Sequence, residues 1–143
     1  WERFTRGLRP LVSLTDRSMF IETQVLQAGA GLEALGFQLA VDDGLGQDQA
    51  DRETHHARLS RVVADLPRGI VPGLDEWPKA SSDAYNAVKH AGRNLPPVEV
   101  LLRQTRQDQL ICRVWVASRL GMDPDELARR ALEDPLAADV VIS

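Results

Sequence analysis

Residues Arg17–Asp42 read RSMFIETQVLQAGAGLEALGFQLAVD and carry the strongest helical pattern in the chain. Apolar residues in this stretch recur at i, i+4, i+7, i+11, i+14 and i+18, a spacing that places side chains on one face of an α-helix. They are Ile21, Val25, Ala28, Leu32, Leu35 and Leu39. We expect one helix of about seven turns, capped by Thr15 or Asp16 and ended by the sequence Asp42–Gly46.

Three glycines lie beside this apolar face, at Gly29, Gly31 and Gly36. Each costs about 1 kcal/mol relative to alanine inside a helix. We therefore expect them to be used where another helix approaches closely.

The rest of the chain also has helical spacing, and no run shows the period-2 alternation of a strand. The further predicted helices are Trp1–Leu14, Asp48–Leu66, Asp83–Pro97, Pro97–Leu120 and Asp123–Glu133. Pro67–Ala80 is a predicted loop, which Leu74 and Trp77 hold to the core. The sequence thus predicts an all-α bundle of five or six helices in a single domain, 1–143. The two long helices cover about 17–42 and 97–120, and residues 135–143 form a tail.

The second long helix changes character along its length. Its second half, Leu110–Leu120, is apolar at almost every angle, which predicts burial either at the centre of the bundle or in a subunit interface. The single cysteine, Cys112, lies in this half, and we expect it to be buried. One cysteine excludes a disulfide within the chain, which fits a reducing cytoplasm.

Charge and hydropathy exclude some classes of function. The net charge is −4, whereas a domain that coats duplex nucleic acid is usually basic. No stretch approaches 18 uninterrupted apolar residues, so we predict no membrane span. The chain begins at Trp1 without a methionine, and we expect it to be the C-terminal part of a longer protein with an upstream domain.

A polar stripe follows from the predicted helix Asp83–Pro97. Asn86, Lys89, His90 and Arg93 are spaced i, i+3, i+4 and i+7, with Tyr85 at the edge. Ser81 or Ser82 is the expected cap, Asp83 is expected in the first turn, and Pro96 and Pro97 are expected to end the helix. A histidine beside two cations suits acid–base chemistry on a phosphate. The other interpretation is a helix face that simply contacts water.

The remaining histidines, His55 and His56, are adjacent and point about 100° apart on a helix. Asp51 and His55 are four residues apart and share a face, but two ligands make a poor metal site. The sequence therefore predicts neither a metal site nor a cofactor.

The sequence YNAVKH at Tyr85–His90 resembles the motif of the HEPN superfamily of small helical bundles, many of which are metal-independent ribonucleases. In that motif an arginine and a polar residue, often asparagine, precede a histidine. Asn86 and His90 match, whereas Tyr85 occupies the arginine position.

A narrower resemblance is to the ApeA-like HEPN domain of bacterial antiphage proteins. It rests on YNAVKHA at Tyr85–Ala91, on the Leu-Pro at Leu95, and on VWVASRLG at Val114–Gly121. The early apolar helix with Glu33–Leu35 is also similar. The resemblance implies that full-length members of that group have a β-rich N-terminal domain followed by a helical one.

This resemblance implies RNA cleavage during phage infection, at a site formed across a homodimer in the cytoplasm. The implied catalytic set is His90, Asn86, Arg93, Lys89 and Tyr85, without a metal or cofactor. His90 would move a proton, and Arg93 or Lys89 would replace the missing arginine as the cation. The alternative is a catalytically degraded HEPN module that dimerises and binds RNA or a nucleotide. A third interpretation is a plain helical interaction domain.

Overall fold

The computed structural model describes residues 1–14 and 19–137, and within these ranges the chain forms seven α-helices and no β-strand. The α-helices are α1 (Thr5–Ser13), α2 (Ile21–Asp42), α3 (Gln47–Asp51), α4 (His55–Ala64), α5 (Trp77–Lys89), α6 (Val98–Arg119) and α7 (Pro124–Glu133). Two 3-10 turns cover Glu2–Phe4 and Pro135–Ala137. The prediction of an all-α bundle with two long helices is confirmed.

Helix α2 carries the predicted apolar face into the core. Five of its six predicted residues, from Val25 to Leu39, are buried, and Ile21 is half-buried against a second, smaller cluster of Val25, Ala84 and Leu101. The predicted start at Arg17 is wrong, because Met19 and Phe20 are not helical and Phe20 has extended backbone angles. The expected caps Thr15 and Asp16 lie outside the described residues.

The predicted helix Asp48–Leu66 is two helices, which raises the count to seven. Helix α3 ends at Asp51, and α4 starts at His55 with the hydroxyl of Thr54 accepting a hydrogen bond from the Ala57 amide at 3.1 Å. The Arg58 guanidinium donates to the carbonyls of Ala50 and Asp51. It thus satisfies carbonyls that the end of α3 leaves free.

Helix α5 begins earlier than predicted. It starts at Trp77 with Pro78 in its first turn, a position that suits proline. Ser81 and Ser82 are therefore buried inside the helix rather than capping it. Asp83 lies in the second turn and pairs with Lys79 at 2.6 Å.

The same helix also ends earlier than predicted, at Lys89, seven residues before Pro96. His90 is already extended, with φ −113° and ψ 107°. Residues 90–97 form the connection to α6, because the chain has to reverse before Val98. Ala84 packs against Leu101, and Trp77 hydrogen-bonds Asp108, so α5 and α6 run antiparallel.

Helix α6 passes through the centre of the bundle. Its residues Leu110, Ile111, Val114 and Trp115 are buried in the main core. The predicted burial at the centre of the bundle is therefore confirmed for 110–115, whereas Leu120 at the end of this half is exposed. Cys112 is buried as predicted, and burial raises the pKa of its thiol to about 12.

The C-terminal elements follow the predicted signals. Gly121 has φ +85° just after α6, the left-handed conformation that glycine adopts readily. The Asp123 carboxylate accepts from the amides of Asp125 and Glu126 and caps α7. Of the predicted tail 135–143, residues 135–137 form a turn with Ala137 buried, and 138–143 lie outside the described residues.

Within the described ranges, none of the helices has the length and apolar content that a membrane crossing needs.

Candidate functional site at the end of helix α5

The five sequence-predicted site residues lie along the last turns of α5 and the loop that follows, but they do not form one stripe. Tyr85, Asn86 and Lys89 belong to the helix, and His90 is its C-terminal cap. Arg93 lies in the loop, because the helix has already ended. Helical spacing therefore does not relate Arg93 to His90, and that part of the prediction is wrong.

A tight turn nevertheless keeps Arg93 close to His90 along the chain. The Arg93 amide donates to the His90 carbonyl at 3.0 Å, and the His90 amide donates to the Asn86 carbonyl at 3.1 Å. Both side chains are exposed, and neither forms a hydrogen bond or ion pair with the part of the chain that the structure describes. An imidazole and a guanidinium are thus available to a ligand in one short turn.

Lys89 directly precedes this turn. Its ammonium lies 5.1 Å from the centre of the Tyr85 ring, a cation–π contact. The contact restrains the lysine side chain near the helix without neutralising its charge. Lys89, His90 and Arg93, which we call the Lys89–Arg93 turn, therefore offer two cations and one imidazole to solvent.

Asn86 is half-buried and points back along the helix. Its amide donates to the Ser82 hydroxyl at 3.3 Å. The structure does not bring the Asn86 amide into contact with the His90 side chain.

The prediction that Tyr85 lies at the edge of a solvent-facing stripe is wrong, because the residue is only 7% exposed. Its ring stacks on His55, with ring centres 4.4 Å apart and planes 20° apart. It also packs directly on Gly29, where an added Cβ would lie 2.1 Å from the Tyr85 ring. A glycine on α2 is therefore what admits the tyrosine of α5.

The Tyr85 hydroxyl reaches a charged pair between α2 and α4. It donates to one oxygen of Glu33 at 3.4 Å, and Arg58 donates to the other at 2.9 Å. Gly36 on α2 admits the backbone of Arg58 in the same way that Gly29 admits Tyr85. Glu33, His55, Arg58 and Tyr85 form what we call the buried tie, which connects α2, α4 and α5.

His55 completes the buried tie. Its Nε2 lies 3.1 Å from the Gly29 carbonyl, so this nitrogen is the donor, and its buried Nδ1 has no partner in the described residues. Desolvation lowers the pKa of His55, and the nearby cations Lys89 and Arg58 act in the same direction. The backbone acceptor and Glu33 oppose the shift. His55 is therefore neutral at pH 7 and serves as a packed ring.

The end of the bundle that carries the Lys89–Arg93 turn also exposes large apolar side chains. Val25, Ala84 and Leu101 pack together, which places the starts of α2 and α6 beside the end of α5. The exposed residues there are Phe20 (83%), Leu95 (52%), Val98 (53%) and Leu102 (41%). An apolar surface of this kind is typical of a protein contact.

Metal binding has no obvious location in the described residues, where no three histidine, cysteine or acidic side chains converge. His55 is buried and His56 is exposed, as their predicted divergence requires. The Asp51 carboxylate lies 3.7 Å from Arg58.

Sequence reasoning missed Glu33 and Arg58 as interacting residues. The available signal was Glu33 lying between Gly29 and Gly36 on one face of α2, since a carboxylate among close-packing glycines needs a partner. Arg58 follows His55 by one turn on the inner face of α4, so a buried cation could be expected there.

A scan against protein-family models found no matching family, and searches of curated proteins and of solved structures found no match either.

Proposed function

We propose that this chain is a HEPN-type domain that cleaves RNA without a metal ion, using the Lys89–Arg93 turn. The observation that carries the proposal is the position of His90. Its imidazole is exposed immediately after Lys89 and in the same tight turn as Arg93. Cleavage of RNA needs a group that moves a proton near neutral pH and a cation at the phosphate, and this turn offers both.

In the proposed reaction a ribose 2′-hydroxyl attacks the adjacent phosphorus. His90 takes the proton of the hydroxyl as the O–P bond forms and then gives that proton to the departing 5′ oxygen as the P–O5′ bond breaks. Lys89 and Arg93 stabilise the added negative charge on the phosphorane. The products are a 2′,3′-cyclic phosphate and a 5′-hydroxyl, so atoms and charge balance without a further reactant.

We extend the proposal to a homodimer in a bacterial antiphage protein. The apolar end formed by Phe20, Leu95, Val98 and Leu102 lies beside the turn. A second copy seated there would bring two Lys89–Arg93 turns together and exclude water from both. The cytoplasmic location and an upstream domain of the same protein belong to this proposal.

A second candidate function is a non-catalytic module that dimerises and binds RNA or a nucleotide. The observation that favours it is the burial of Tyr85. The position at which the family motif has an arginine is built into the buried tie, so this chain lacks the fixed cation at that point.

The test is an RNA cleavage assay in excess chelator with analysis of the product ends. The proposal predicts fragments with 2′,3′-cyclic phosphate ends and no cutting of the same oligonucleotide made with 2′-O-methyl ribose. Tight binding of RNA by a dimer without any cleavage would instead support the second candidate.

A further inference from the structure

A groove of about 610 Å³ lies between α1, α2 and the start of α4. Its floor is made by small residues of α2, Ala30 and Ala34, beside the ring of Phe37. Arg3 and Arg6 of the N-terminal segment line the opposite side. None of these residues belongs to the Lys89–Arg93 turn.

The cations of this groove differ in how far they are already neutralised. Arg58 is paired with Glu33 at 2.9 Å, and Arg3 is paired with Asp42 at 3.2 Å. Arg6 is exposed and makes no ion pair with the described residues. An anion that enters the groove would therefore meet its available positive charge at Arg6.

The apolar part of the groove suits a flat ring. Phe37 is half-buried and lies 5.6 Å from the Arg58 guanidinium. Aromatic side chains beside a cation are the usual platform for the bases of single-stranded nucleic acid, because every base has a π-face. A base on Phe37 would leave its phosphate within the side of the groove that Arg6 lines.

The groove is connected to the proposed reaction site through the buried tie. Glu33 lines the groove and accepts from the Tyr85 hydroxyl at 3.4 Å. The Tyr85 ring in turn lies 5.1 Å from the ammonium of Lys89, the residue before His90. The buried tie thus places the groove beside the turn of α5 that carries Lys89.

We propose that this groove binds a nucleotide of single-stranded RNA that flanks the cleaved phosphate, with its base against Phe37 and its phosphate on Arg6. The inference rests on the proposed function for its choice of ligand. It adds two residues, Arg6 and Phe37, that determine binding rather than chemistry. It also explains how a chain of net charge −4 can bind RNA, since one local cation and one ring replace a broad basic surface.

The experiment measures binding of fluorescently labelled 2′-O-methyl single-stranded RNA, which cannot be cleaved, as a function of salt. The matched pair is Arg6→Gln and Arg9→Gln. Both arginines are exposed on α1, but only Arg6 lines the groove. We expect Arg6→Gln to weaken binding by about tenfold, as loss of a charged phosphate contact does. We expect Arg9→Gln to weaken it less than about twofold.

The salt dependence separates the two proposed contacts. Arg6→Gln should reduce the slope of log K against log salt by about 0.7, the value for one phosphate on a single strand. Phe37→Leu should weaken binding by roughly fivefold or more with the slope unchanged, because stacking releases no counterion. Circular dichroism of each variant verifies that it is folded.

Equal affinities and equal slopes for Arg6→Gln and Arg9→Gln would refute the proposal that the groove binds a nucleotide. This result is distinct from failure of the proposed function. If the wild-type protein cleaves RNA but the two variants bind it equally well, only the proposed nucleotide site in the groove is refuted. A wild-type protein that binds through Arg6 but never cleaves would refute only the ribonuclease.

Discussion

Tyr85 and His90 lie five residues apart in the same motif, yet they end in opposite environments. Tyr85 points into the bundle, where Gly29, His55 and Glu33 surround it. His90 caps the same helix in solvent, and its imidazole has no hydrogen-bond partner in residues 1–14 and 19–137. The C-terminal part of α5 thus has a buried side at Tyr85 and an exposed cap at His90. Polar residues close in sequence can therefore have unrelated roles when a helix stops between them.

The largest difference between the two positions should appear in stability. We expect Tyr85→Ala to lower the free energy of unfolding by about 3–5 kcal/mol, because it removes a buried aromatic ring and leaves a cavity. We expect His90→Ala to change it by less than about 0.5 kcal/mol, as is usual for an exposed residue. Urea denaturation measures both. Similar losses for the two variants would contradict the different environments described for Tyr85 and His90.

The start of α5 differs from its C-terminal part because Trp77 binds a buried carboxylate, Asp108 of α6. This carboxylate on α6 is buried and accepts from Trp77 Nε1 at 2.8 Å and from Gln104 at 3.0 Å. Burial raises its pKa from 3.8 to about 6, although the hydrogen bonds from Gln104 and Trp77 oppose the shift. Because the folded state holds this proton more tightly, the contribution of Asp108 to stability is present below about pH 4 and is lost as pH rises through about 6.

The expected size of that loss is on the order of 3 kcal/mol, from a shift of about two pKa units. Asp108→Asn removes the ionisable group and should remove this part of the pH dependence. The measurement is the difference in unfolding free energy between wild type and Asp108→Asn at pH 4 and pH 7. A difference that stays constant between these two pH values would contradict the assignment.

Two glycine-to-alanine substitutions test how closely α2 and α5 pack at the buried tie. Gly29→Ala would place a Cβ 2.1 Å from the Tyr85 ring, whereas an added Cβ at Gly92 has no atom within 4 Å. We expect Gly29→Ala to lower the unfolding free energy by about 1–3 kcal/mol, as overpacking does. Gly92→Ala should change it by less than about 1 kcal/mol. A Gly29→Ala protein as stable as Gly92→Ala would show that α2 and α5 are not in close contact.

The sequence was sufficient for the core of this fold, because period and composition decide which side chains are buried. The apolar face Val25–Leu39, the central position of Leu110–Trp115 and the cap at Asp123 could all be predicted. The break between α3 and α4 was missed, because the apolar spacing continues across it from Ala50 to His55 and Leu59. Thr54, which caps α4, was the local signal for the break.

The candidate site was harder to predict than the core. The end of α5 at Lys89 is set by the reversal into α6, not by Pro96 and Pro97, so the predicted stripe was extended one turn too far. Tyr85 was assigned to the surface because its burial depends on the absence of a side chain at Gly29, a residue 56 positions earlier. Helical periodicity alone carries no information about such a contact.

Two exposed histidines, His90 after α5 and His56 on α4, provide the sharpest test of the proposed ribonuclease. RNA cleavage rates in excess chelator are measured for wild type, His90→Ala and His56→Ala at equal folded concentration. We predict a rate loss of about 100-fold or more for His90→Ala, the usual contribution of a general acid or base. We predict a rate within about twofold of wild type for His56→Ala. Equal rates for the two variants would contradict the proposed role of His90.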